Sequence, residues 1–132
     1  MTAGAGHSGT PLVRKLGVKE GMRVALIGAP EGFAIAGVEV PRRRLGGKVD
    51  VVVFFTTERA RLEGRLGALR KAVEPDGALW VAWPKRASRV ATDMTEDVVR
   101  EVVLPTGLVD VKVCAIDEVW SGLKVVVRKE LR

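Results

Sequence analysis

The sequence has no tyrosine, one cysteine, one histidine, and no apolar run long enough to cross a bilayer. Each shortage removes a class of protein. A lone thiol, Cys114, cannot close an intramolecular disulfide, so a cystine-stapled scaffold is excluded. Cys114 falls in an apolar stretch and is expected to be a buried, inert thiol. The only histidine, His7, lies in the Gly/Ala/Ser/Thr-rich first nine residues. The body of the chain therefore offers no imidazole base and no His/Cys zinc donor set, and no metal site is expected. The apolar stretches fall well short of the roughly 18 residues that a membrane span needs. Residues 1–10 also lack the apolar core of a secretory leader. Cytoplasmic placement without membrane contact is the expectation.

What is present describes an ordinary globular protein. The chain has 132 residues, 47% hydrophobic and 29% charged, which fits a single folded unit rather than a disordered one. Residues 1–9 read as a flexible tail and 10–132 as a single α/β domain. The net charge is +6. A basic surplus suits nucleic acid or another polyanion, and it equally suits simple solubility, because acids are interspersed along most of the chain. The exception is Arg42-Arg43-Arg44 with Lys48, where no acid intervenes.

Residues 49–55 (Val-Asp-Val-Val-Val-Phe-Phe) and 78–83 (Ala-Leu-Trp-Val-Ala-Trp) are apolar without alternation. Strands of that kind are buried on both faces and belong to parallel sheets. Between them, Leu62, Leu66, Leu69 and Val73 recur at helical spacing, and Pro75-Asp76-Gly77 ends the helix. An earlier strand is expected at 23–27, followed by a short helix over 31–37 and an exposed basic loop over 41–48. Asp93 and Glu96 have the spacing of a helix N-cap with its reciprocal acid, ahead of a face of Met94, Val98, Val99, Val102 and Val103. Val109, Val111, Val113 and Ala115 alternate with Asp110 and Lys112, which predicts an edge strand with these four on its inner face. Trp120-Ser121-Gly122 reads as the reversal into a last, more apolar strand over 123–127. The strands at 23–27, 49–55 and 78–83 should be mutually parallel, and the last should run against them.

This order resembles the C-terminal half of class I S-adenosylmethionine methyltransferases. The residues that carry the likeness are 16–24 (Leu-Gly-Val-Lys-Glu-Gly-Met-Arg-Val), 73–80 (Val-Glu-Pro-Asp-Gly-Ala-Leu-Trp) and the terminal hairpin. The resemblance implies a Rossmann-like, mostly parallel sheet, truncated on its N-terminal side. It departs from the family where the cofactor would sit. The loop after the first strand reads Gly28-Ala29-Pro30-Glu31-Gly32, with a proline inside it, and no ribose-binding acid follows a second strand. No cofactor is therefore expected, and S-adenosylmethionine least of all. The sequence is also similar to a family of small uncharacterised bacterial proteins through Thr10-Pro11-Leu12, Gly28-Ala29-Pro30, residues 80–85, Thr92-Asp93 and residues 109–124. That likeness implies the same truncated fold and no activity.

In an open parallel sheet, ligands bind beyond the carboxyl ends of the strands. That rule gathers Gly28, Ala29, Pro30, Glu31, Trp83, Lys85, Thr92, Asp93, Trp120, Ser121 and Lys124 on one rim as candidates for an anionic or nucleotide-like small molecule. Arg42, Arg43, Arg44, Lys48, Arg86 and Arg89 are the candidates for polyanion binding. Catalytic groups are unknown. Asp117 and Glu118 are adjacent and should point apart in a strand, and Ser88 and Ser121 lack a neighbouring base. The leading expectation is a non-catalytic binding or interaction module on a decayed methyltransferase-like scaffold. The alternatives are a small enzyme or nucleotide binder at the rim, and RNA or polyanion binding through the basic loops. A protein partner is also conceivable at the sheet edge left open by the truncation.

Overall fold

The computed structural model describes residues 10–132; the expected tail, with His7, lies outside the described residues. The two apolar runs form β2 (Val51–Phe55) and β3 (Ala78–Pro84), with every residue of both buried. The helix between them, α2 (Arg59–Val73), buries Leu62, Leu66, Leu69, Ala72 and Val73. An earlier strand, β1 (Val24–Ile27), is buried throughout and follows a one-turn helix, α1 (Leu12–Lys15). Helix α3 (Glu96–Val103) leads through a tight turn to β4 (Leu108–Ala115) and β5 (Trp120–Val127).

The five strands make one mixed α/β sheet in the order β1-β2-β3-β5-β4. β1, β2 and β3 are parallel, β5 runs against β3, and β4 runs against β5 at the edge. This is the expected arrangement of a parallel N-terminal part and a C-terminal antiparallel hairpin. Helix α2 follows from it, because the parallel neighbours β2 and β3 need a crossover and an amphipathic helix supplies one, whereas the crossover from β1 to β2 is irregular chain. Both α2 and α3 contribute to the same face. The opposite face is covered by α1 and irregular chain, through Leu16, Ile35 and the partly buried Val13, Val18, Phe33 and Val38.

Local expectations fail in five places, each for a physical reason. The short helix expected over 31–37 is a set of turns, in which Phe33 N–H donates to Pro30 O and Val38 N–H to Ile35 O. The reversal of the hairpin lies at 116–119, not at Trp120-Ser121-Gly122, and those three residues pair with Pro84, Trp83 and Ala82. Asp117 makes that turn by accepting the N–H groups of Val119 and Trp120 on its Oδ1 at 2.9 and 2.8 Å. The cap of α3 is Thr95, whose Oγ1 accepts from Val98 N–H, and not Asp93. The alternation in β4 is broken by a one-residue bulge: Asp110 opposes Val125 and Lys112 opposes Lys124, with Val111 left over. Val109 and Val113 consequently face opposite sides, and Val111 and Val113 are exposed. Finally, the outer edge of β1 is not bare. Arg42 lies along it in a parallel bridge to Ala25, accepting from Leu26 N–H and donating to Val24 O at 2.8 Å each.

No helix among the described residues is long and apolar enough to cross a membrane.

Candidate binding site

Strand polarity delivers the ends of β1, β2, β3 and β4 and the start of β5 to one rim. The sheet then divides that rim in two. Leu79, Val81 and Trp83 point to the helical face, while Trp80, Ala82 and Trp120 belong to the other. Ser121 pairs with Trp83 and shares its side. The single cluster expected of Trp83, Lys85, Thr92, Trp120 and Lys124 is therefore not formed. Lys124 lies furthest out of place. It pairs with Trp80 in mid-sheet, and its Nζ comes within 3.5 Å of where a β-carbon on Gly17 would sit.

On the coil-covered side, Leu12, Pro30, Glu31, Phe33, Asp117 and Trp120 line a hollow of about 440 Å³. Its aromatic residues are occupied with one another. Phe55 stands edge-on to both Phe33 and Trp120, with ring centres 4.9 and 5.1 Å apart. Gly28 beside it is required by the backbone. It has φ +72°, and an added β-carbon would come within 2.8 Å of Phe55 O. Gly28, Ala29 and Pro30 thus explain themselves as a tight exit from β1.

On the helical side, a cleft of about 430 Å³ is walled by Trp83, Pro84, Arg86, Arg89, Thr92 and Glu96, among others. The loop that closes it is pinned at its far end. Thr92 Oγ1 donates to Thr57 O at 2.6 Å and accepts from Met94 N–H at 3.0 Å. Asp93 Oδ1 accepts from Arg59 N–H at 2.7 Å, so this carboxylate caps the first turn of α2 from 34 residues away. Thr92 and Asp93 hold the loop through these bonds, and of the two only Thr92 lines the cleft. Nearer β3, a single turn (Arg86–Ser88) is closed by Ser88 Oγ donating to Lys85 O, and Arg89 follows with φ +62°. A left-handed conformation at a non-glycine residue is uncommon and turns the chain sharply over the cleft. Neither Arg86 nor Arg89 has a carboxylate partner among the described residues, whereas Glu96 on the opposite wall is held by Arg100. Lys85 is half-exposed between the two hollows, without an ion-pair partner among the described residues, and its N–H donates to Val119 O at 2.7 Å.

The remaining candidates lie elsewhere. Arg42 is bound into the β1 edge and donates to Gly46 O, Lys48 Nζ donates to Glu74 O, and Arg43 and Arg44 are exposed. Asp50 orders the start of β1 and β2 by accepting from Arg23 N–H. Cys114 is half-buried, and burial pushes its thiol above the usual range despite nearby Lys15 and Lys112. No group of three metal-ligating side chains occurs among the described residues. What the sequence missed is the left-handed Arg89 and the division of the rim. Neither leaves a local signal: arginine has no special preference for positive φ, and facing is set by pairing register.

The site and sheet together define an α/β protein with an open strand-end rim, cleft on the helical side. No family model matches the sequence and no curated protein matches it, so the family resemblances read from the sequence are supported by their own segments alone. Among solved structures, the chain is similar to magnesium protoporphyrin IX methyltransferase from Synechocystis PCC 6803, whose structure holds bound SAH. The match has 15% identity and a TM-score of 0.49, and covers 70% of this chain and 53% of that one. The chain spans about half the length of that protein.

Proposed function

We infer that the protein is a non-catalytic binding module, and that its ligand is a small anion bearing a flat ring, a nucleotide in chemical class, held in the cleft between Trp83 and the Arg86–Arg89 turn. The observation that carries this reading is the pair of guanidinium groups without carboxylate partners among the described residues, set on the wall of a cleft that the nearly buried Trp83 also lines. Guanidinium groups match phosphate oxygens in pairs. Trp83, Pro84, Val90 and Met94 in its lining supply the apolar surface that ligand pockets combine with a few polar groups. The division of labour is simple. Thr92 and Asp93 fix the loop, Arg89 turns it, and Arg86 and Arg89 compensate the ligand's charge.

Calorimetry with ADP tests it. Binding in the micromolar range, about −8 kcal/mol for a dissociation constant near 1 μM, is expected. Arg86→Gln with Arg89→Gln should weaken it at least about tenfold while leaving stability within about 0.5 kcal/mol, as for surface changes. Absence of heat with ADP, or unchanged affinity in the double variant, would sink the reading. S-adenosylmethionine serves as the second probe and should bind no tighter than the high-micromolar range, about −5.5 kcal/mol. A low-micromolar constant for it would instead make the Gly28–Pro30 exit a cofactor cradle.

A further inference from the structure

Helix α2 has two flanks beside its buried stripe, and charge is distributed unequally between them. The flank toward α3 carries Arg59, Glu63, Arg70 and Glu74, and all four are in ion pairs: Arg59 with Glu63 and with Glu101 on α3, and Arg70 with Glu74. The flank toward the β1 edge carries Arg61 and Arg65, one turn apart, then Ala68 and Ala72. Neither arginine has a carboxylate partner among the described residues. Arg61 instead lies over the Phe54 ring, its guanidinium carbon 5.9 Å from the centre. Glu58, one turn before Arg61, is the only acid on that flank and forms no ion pair with it.

The loop after Arg42 completes this surface. Leu45 packs into the helical-side core, and the chain then runs beside α2, leaving a shallow groove of about 340 Å³ floored by Gly46, Gly47, Ala68 and Ala72. Lys48 and Lys71 stand at its borders. Lys48 is tethered by its Nζ to Glu74 O, and Arg43 and Arg44 project from the same loop. Arg43, Arg44, Lys48, Arg61, Arg65 and Lys71 thus form one cationic surface, and every ion pair of the helix lies on its other flank.

We propose that this surface binds the phosphodiester backbone of a nucleic acid. A floor of glycine and alanine lets a sugar–phosphate chain approach closely, and arginines bind phosphate in bidentate fashion. An anionic membrane fits less well, because interfacial helices bury a row of large apolar side chains and this flank exposes none. The proposal does not depend on the Trp83 cleft, which lies at the strand-end rim on other residues.

Fluorescence anisotropy with a labelled single-stranded RNA and a labelled DNA duplex tests it across about 50 to 200 mM salt. Binding of at least one probe is expected, with affinity falling steeply as salt rises. Arg61→Gln, Arg65→Gln and Lys71→Gln combined should weaken it at least about tenfold and flatten the salt slope by about one per cation removed. The loop variant Arg43→Gln with Arg44→Gln should act in the same direction and does not touch the helix. A control of equal charge loss, Lys19→Gln with Lys112→Gln and Lys129→Gln, should stay within about twofold. The probe preferred, RNA or duplex, identifies the source of the backbone. Three results overturn the proposal: no binding at the low-salt end, equal weakening by the control, or binding to phosphatidylserine vesicles with neither nucleic acid retained.

Discussion

The two faces of the sheet solve the same problem with different means. On the helical face the covering bulk comes from above, where Leu62, Leu66, Leu69 and Val73 of α2 and Val99, Val102 and Val103 of α3 descend on Val52, Phe54, Leu79 and Val81. On the other face it rises from the sheet itself. Phe55 and Trp80 are fully buried side chains of the strands, and the chain above them contributes little more than Leu16, Ile35 and a few half-buried residues. Helices satisfy their own backbone, so they can cover a sheet with side chains alone. Irregular chain cannot, and here it is held by turns and by long-range bonds, among them Trp80 Nε1–H donating to Leu16 O at 3.0 Å and Lys15 Nζ donating to Ala115 O at 3.1 Å. A sheet can therefore be closed by coil when its own aromatic residues fill the volume.

The largest expected effect tests whether the thin cover is a true core. Trp80→Ala removes the bulk and leaves Leu16 O without its donor, so a loss of about 3–5 kcal/mol is expected. Leu69→Ala on the helical face should cost about 2–5 kcal/mol. Urea titrations of both would decide it. A Trp80→Ala cost well below that of Leu69→Ala would mean the coil is a loose lid.

Gly122→Ala sharpens the same point. A β-carbon there would come within 2.9 Å of Ile116 Cδ1 and 3.1 Å of Trp80 Cε3, so a penalty of about 1–3 kcal/mol from overpacking is expected. Equal melting temperatures of wild type and variant would show that this face yields freely.

On the helical face, Asp93→Ala should cost about 0.5–2 kcal/mol, the usual value of a lost helix cap, and should speed amide exchange at Arg59. If exchange accelerates instead at the start of α3, the cap has been assigned to the wrong helix.

The smallest effect is electrostatic. Arg100 holds Asp110 below the usual carboxylate range through a hydrogen bond at 2.9 Å, joining α3 to the edge strand. A depressed carboxyl contributes stability that is present above its unfolded value, near 3.9, and lost as pH falls through its lower folded value. The pair is largely solvated, so the term should stay under about 1 kcal/mol. Asp110→Asn should remove that part of the acid-side slope in thermal melts between about pH 5 and 2, and an unchanged slope would dismiss the pair.

The strands at 51–55 and 78–84 were legible because a buried parallel strand declares itself by losing alternation. The edge strand was legible in place and misleading in detail. Val109, Val111 and Val113 alternate in sequence, yet the bulge at Val111 puts Val109 and Val113 on opposite faces. The candidate site was legible as a rim and not as a cleft. Trp83 lies at the end of β3 and Trp120 at the start of β5, but they sit on opposite faces, because Trp120 is registered against Pro84 rather than against Trp83. Asp93 was read as a cap for the helix next to it, and it caps the one 34 residues earlier.

By itself the sequence determined much of what short-range chemistry decides: the places of the five strands and of the two longer helices, though not the turns over 31–37, their order, the crossover that makes β2 and β3 parallel, and the cationic character of loop 41–48. Those follow from periodicity, from glycine and proline, and from the connection lengths that parallel pairing demands. Only the tertiary structure decided which face each rim residue occupies, which flank of α2 spends its charges on α3, and how the 29–48 segment wraps the β1 edge. Such choices depend on pairing register and on contacts between distant residues. A shift of one residue in the pairing of β5 with β3 would bring Trp120 to the face of Trp83 and leave every local preference satisfied.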